Sequence, residues 1–141
     1  MLDPPAPSGH LFCPVFLIYS LTGALTRRER ELLEGDQWSI SGIVLWEISK
    51  LAQLGRIRID LDDIEIIRAL AGIHTWPITV DICRAIRDLD FDSDPADELI
   101  AATSIVHGVP LITRDRRLLA SRIVPLAMDT GRKGRQPRSR R

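Results

Sequence analysis

Apolar positions along this chain fall into short continuous blocks and into longer stretches where they recur every three or four residues. The block Val15 to Tyr19 suits a strand buried on both faces, and Trp38 to Ser41, Trp76 to Thr79 and Leu111 to Thr113 read as three more strands, with Ile123 to Leu126 as a short fifth. The periodic stretches predict helices. One runs from a Thr26 N-cap through Glu34 with Gly35 as its stop. A second covers Ile43 to Leu54, whose apolar residues at 44, 45, 48, 51, 52 and 54 share a face closed by Gly55 at the left-handed C′ position. Others cover Leu61 to Ala71, ended by Gly72, and Asp81 to Leu89, and one runs from Asp94-Pro95 to about His107, ended by Gly108. Short apolar strands alternating with amphipathic helices indicate an α/β fold: a mostly parallel sheet of about four to five strands with helices on both faces.

Composition narrows this picture. A chain of 141 residues with 45% apolar content fits one domain with its own core. Cys13 and Cys83 are the two cysteines, with no CxxC and no nearby histidine pair, so neither a disulfide framework nor a zinc site is indicated and a reducing cytoplasm is the expected setting. The longest apolar stretch, Leu11 to Leu21, is interrupted by Pro14, Tyr19 and Ser20 and falls short of the roughly 20 residues that span a membrane. Met1 to Gly9 has no basic residue to begin a signal peptide. The expected organisation is an irregular Pro-rich leader over 1–14, a folded body over 15–128 and a basic tail over 129–141. Six of the nineteen basic residues lie in that tail, so the chain through Gly131 keeps thirteen against nineteen acids, a net of −6. The tail is expected to be disordered, either holding a polyanion electrostatically or serving only as a solvated aid to solubility.

Candidate chemistry follows from the sheet. In parallel α/β sheets ligands bind beyond the carboxyl ends of the strands, where acids distant in sequence converge. Asp115 comes two residues after Leu111-Ile112-Thr113 and faces that edge, although capping the next turn would explain it equally well. Asp94 is an N-cap with Pro95 at N1; Asp97, at N3, begins the apolar run Leu99 to Ala102 and so lies at the rim of the buried face. Glu47 lies on the border of the apolar stripe of its helix, one turn after the Trp38 to Ser41 strand; a lone helical glutamate is otherwise a surface residue. Together Glu47, Asp97 and Asp115 make a hard, oxygen-rich metal site suited to Mg²⁺ or Mn²⁺, able to activate water against a phosphodiester. Repulsion among the three should raise at least one carboxyl pKa in the metal-free state.

The segments Ala24 to Leu33, Ile40 to Ile48, Leu54 to Ile57, Asp94 to Thr103 and Gly108 to Asp115 resemble, in order and spacing, the PIN-domain ribonucleases, and among them the VapC toxins of bacterial toxin–antitoxin pairs. The resemblance covers roughly Val15 to Leu126. It implies a three-layer α/β/α PIN-like fold and makes Glu47, Asp97 and Asp115 the acids of the second, third and fourth motifs. It further implies Mg²⁺-dependent endonucleolytic cleavage of RNA, a homodimer and a cognate antitoxin. One position departs from the pattern: the family's first strand ends in an aspartate, and here Cys13 or Phe12 stands in its place, with no acid between Asp3 and Glu29. Cysteine is a soft, mostly protonated ligand and a poor substitute on Mg²⁺. An alternative reading is therefore a catalytically impaired PIN-like module that still pairs with an antitoxin. A phosphoacceptor receiver-like domain fits poorly, because the only lysines are Lys50 and Lys133. No aromatic stacking platform for single-stranded RNA is evident, most of the aromatic side chains being expected in the core, and His10, His74 and His107 receive no catalytic role, His107 being favoured by the dipole at its helix end.

Overall fold

The computed structural model describes residues 9–33 and 37–127. The leader through Ser8, Glu34, Gly35 and the tail beyond Ala127 lie outside the described residues. Within them the elements run β1 (His10–Phe12), α1 (Pro14–Thr22), α2 (Arg27–Leu33), β2 (Trp38–Ser41), α3 (Gly42–Gln53), α4 (Ile64–Ala71), β3 (His74–Trp76), α5 (Val80–Ala85), α6 (Pro95–His107), β4 (Leu111–Ile112) and α7 (Arg116–Leu119). The four strands form one parallel sheet in the order β3-β2-β1-β4, with Phe12 beside both Ile40 and Ile112 and Ser41 beside Trp76. Helices complete the expected three-layer α/β/α architecture.

Several boundaries move from their sequence positions for local reasons. Val15 to Tyr19 is not the first strand: it lies inside α1. Cys13 is extended at the N-cap, Pro14 takes the first turn, where its missing N–H costs nothing, and Gly23 closes the helix at φ +78° with its N–H on the Tyr19 carbonyl. The first strand is His10–Phe12, so the folded body begins inside what reads as an irregular leader. The β3 strand ends at Trp76, before Pro77, and Thr79 instead caps α5 by accepting from the Ile82 amide at 3.3 Å. The Leu61 to Ala71 helix begins only at Ile64, because Asp63 caps it through the Glu65 amide at 2.9 Å. The helix expected to Leu89 is α5 followed by a 3-10 turn over Ile86–Asp88. The expected fifth strand is a single parallel bridge from Leu126 to Leu111.

Other expectations hold to within a residue. Thr26 and Glu29 form a reciprocal capping box at the start of α2, the Thr26 hydroxyl accepting from the Glu29 amide and the Glu29 carboxylate from the Thr26 amide. The α3 and α6 helices occupy their predicted spans, and Gly108 ends α6 at φ +67°, a conformation that a side chain would strain. Phe12, Phe16, Leu17, Ile40, Val44, Ile48, Ile100, Leu111, Ile112 and Leu118 are completely or almost completely buried and join α1, α3, α6 and α7 to the strands. At about 1.5–3 kcal/mol for each buried large side chain, these contacts fix the strand ends against the helix starts that follow them. Among the described residues no helix is long and apolar enough to cross a membrane.

Candidate metal centre

At the carboxyl end of the sheet, the strand-to-helix junctions after β1, β2 and β4 and the start of α6 meet in a cleft of about 250 Å³. Its lining includes Cys13 after β1, Glu47 on α3, Asp97 on α6 and Asp115 after β4, with Val15, Leu51 and Leu118 as apolar walls. All three carboxylates singled out from sequence are thus brought to one place, each neither fully exposed nor fully buried.

Each acid is set by a local device. Ser41 ends β2 and caps α3, accepting from the Ile43 amide at 3.3 Å, so Glu47 follows in the second turn. Asp94 caps α6 by accepting from the Asp97 amide at 3.0 Å, and the Glu98 carboxylate returns to the Ser93 amide at 3.0 Å. The Ser93 hydroxyl donates to Asp97 Oδ2 at 2.9 Å and orients that carboxylate. Asp115 does cap a turn: Oδ1 accepts from the Arg117 amide at 2.8 Å and the Leu118 amide at 3.4 Å, leaving Oδ2 for other work. Its own amide donates to the buried Thr113 hydroxyl at 3.0 Å.

Burial and mutual repulsion set the electrostatics of these acids. Burial pushes the Glu47 carboxyl up, with Asp94 and Asp97 adding repulsion. Asp97 is likewise raised, first by burial, against the Ser93 hydrogen bond, then by Asp94 and Asp115. Mutual repulsion therefore acts as expected from sequence, but desolvation is the larger cause. The donors are hard oxygens, the chemistry that Mg²⁺ and Mn²⁺ take. Among the described residues no three such side chains stand as a ready-formed coordination shell.

Of the two residues that could occupy the family's first acidic position, Cys13 lines the cleft, while Phe12 is buried with its ring 4.8 Å from Trp38 and 6.1 Å from Phe16. Burial pushes the Cys13 thiol up, against hydrogen bonds that include the Thr113 side chain, and Asp97 adds to the rise. The thiol is thereby held protonated at neutral pH.

Some features at this edge carried no sequence signal. Glu29, 4% exposed, receives two hydrogen bonds from Arg114, one of them at 2.8 Å from Nε, which hold its carboxyl below the usual range. Arg114 also lies over the Tyr19 ring at 4.5 Å and the Phe16 ring at 5.4 Å, tying α1, α2 and the end of β4 into one wall. Ser93 was hidden as well, although its place just before Asp94-Pro95 is a position from which a hydroxyl reaches the first helical turn. Trp46 departs from the expected burial of aromatics at 56% exposed. At His107, burial and then His74 push the pKa down, and its ring stacks on Trp76 at 4.0 Å.

The PIN domain profile matches residues 16–123, beginning after β1 and after Cys13. Ribonuclease VapC22 of Mycobacterium tuberculosis is 36% identical over 90 residues, which cover 62% of this chain and 69% of that protein. Among solved structures, VapBC2 from Rickettsia felis bound to a promoter DNA fragment matches with a TM-score of 0.64 at 16% identity, covering 83% of this chain and 96% of its own. A toxin–antitoxin complex from Klebsiella pneumoniae matches with a TM-score of 0.59 at 23% identity, covering 79% and 90%. At those identities the structures show the fold, while the profile and the mycobacterial relative show the family. The chain belongs to the PIN-domain family and is of the VapC type.

Proposed function

We propose that this protein is a Mg²⁺-dependent endoribonuclease, the toxin of a type II toxin–antitoxin pair, acting in the cytoplasm as a homodimer and neutralised by a cognate antitoxin. The observation that carries this reading is the cleft that collects Glu47, Asp97 and Asp115 from α3, the start of α6 and the end of β4. Likeness to a ribonuclease and to toxin–antitoxin complexes supports the substrate class and the partner.

In this reading Asp97, Asp115 and Glu47 would hold a divalent cation, which would supply water activation and charge neutralisation at a phosphodiester. The chain's own part is to orient and exclude. Ser93 keeps Asp97 turned toward the cleft, the α7 amides fix Asp115, and Leu51, Leu118 and Val15 exclude bulk water from one side. Raised carboxyl pKa values make the cleft bind protons more readily, so a cation would compete with those protons and bind more strongly as pH rises.

Cys13 favours a second reading, an impaired module that keeps the antitoxin surface but turns over RNA slowly or not at all. One experiment separates the two: cleavage of a single-stranded oligoribonucleotide followed across Mg²⁺ and Mn²⁺ concentrations for wild type, Asp97→Asn and Cys13→Asp. The active reading expects wild-type cleavage, a loss of at least about a hundredfold in Asp97→Asn, matching the scale of a lost electrostatic contact in a transition state, and a gain in Cys13→Asp. Cleavage by Cys13→Asp alone supports the impaired module. Metal-independent cleavage overturns the metal mechanism, and no cleavage by any variant overturns the nuclease assignment.

A further inference from the structure

Trp46 stands on α3 one residue before Glu47 and is 56% exposed, whereas Trp76 is buried with 7% exposure. A large indole facing water on a helix surface is poorly used for packing, where a short polar side chain would serve. It lines a groove of about 560 Å³ with Ile43, Glu47, Asp94, Pro95 and Ala96. Glu47 also lines the carboxylate cleft, so the groove and the candidate metal centre share a wall.

The chemistry of the groove selects its occupant. Glu47 and Asp94 repel a phosphate group there, while Ile43, Pro95 and Ala96 offer an apolar floor and Trp46 an aromatic face. A flat, neutral heterocycle with N–H donors on its edge satisfies all three: its face stacks on the indole, its body covers the floor and its edge meets carboxylate acceptors. Nucleobases have that form, and base stacking on an exposed aromatic is the general way in which single strands are held. Paired bases in a duplex are already stacked and do not present a free face.

We propose that Trp46 is a stacking platform for an unpaired base flanking the phosphodiester held at the carboxylate cleft. This inference rests on the ribonuclease reading above and adds a positioning subsite to it.

The test mixes wild type, Trp46→Ala and Trp46→Phe rapidly with a single-stranded oligoribonucleotide in Mg²⁺ and records tryptophan emission and affinity before any cleavage. A second series uses oligonucleotides with one abasic position moved along the strand, and cleavage is read separately in the same reactions. The expected result is quenching in wild type that disappears in Trp46→Ala, with affinity weakened about tenfold, largely restored in Trp46→Phe. One abasic position should weaken wild type by a similar factor and leave Trp46→Ala no weaker. Equal RNA affinity in wild type and Trp46→Ala, or losses from the substitution and the abasic site that multiply, overturns the platform. So does a Trp46→Ala protein that handles RNA normally but loses antitoxin affinity, since the groove then belongs to a protein partner. Binding with quenching but no cleavage leaves the platform standing and overturns the nuclease reading alone, and cleavage without any Trp46 effect does the reverse. No RNA binding at all overturns both.

Discussion

Glu29 and Arg114 are separated by 85 positions, yet their pairing braces the residue next to Asp115. The sign of its pH dependence follows from the depressed Glu29 carboxyl: stabilisation is present above the unfolded value near 4.5 and is lost as pH falls through the lower folded value. Because the Arg114 side chain is 40% exposed, the loss in Glu29→Gln should lie near the low end for charged hydrogen bonds, about 1.5 kcal/mol at neutral pH. Urea unfolding at several pH values checks this, with the two proteins converging in acid; a constant difference would contradict it. Individual site acids were legible because each follows a strand or opens a helix, places where carboxylates converge in a parallel sheet. The Glu29–Arg114 pair was not, since nothing local marks a contact over that separation. Cys13 was legible as a departure from pattern, and its seat in the cleft required the strand end to be located first.

At the scale of elements, α6 carries the most consequential cap. Asp94 accepts from the Asp97 amide and so fixes the turn on which Asp97 rides. Replacing Asp94 by Ala should destabilise the protein by about 1 kcal/mol and weaken metal binding through Asp97, measurable by urea denaturation and by metal titration of the folded protein. Unchanged stability would show that Ser93 and Glu98 suffice as the cap. This helix was readable almost to the residue because Asp94-Pro95 and Gly108 punctuate both ends. The α1 helix misled for an equally physical reason: a short continuous apolar run fits a strand or a buried helix alike. Pro14 and Gly23, nine residues apart and standing at its first turn and its left-handed stop, were the deciding signals. The two- and three-residue strands β1, β3 and β4 have too few positions to show any period of their own.

For the whole molecule, the parallel order β3-β2-β1-β4 sets what converges: β1 and β4 are neighbours, so Cys13 and Asp115 meet, and β2 on the other side of β1 delivers α3 with Glu47. Charge follows the same division, with an acidic body and six basic residues at the end of the chain. The central claim is that the three gathered carboxylates form one divalent-metal site, and calorimetric titration of the metal-free protein with Mn²⁺ at neutral pH tests it most directly. The account predicts saturable binding by wild type, weakened at least about tenfold in Asp97→Asn and weaker at lower pH as the raised carboxyls take up protons. Mn²⁺ affinity that is the same in Asp97→Asn as in wild type, or no saturable binding by wild type, would contradict it.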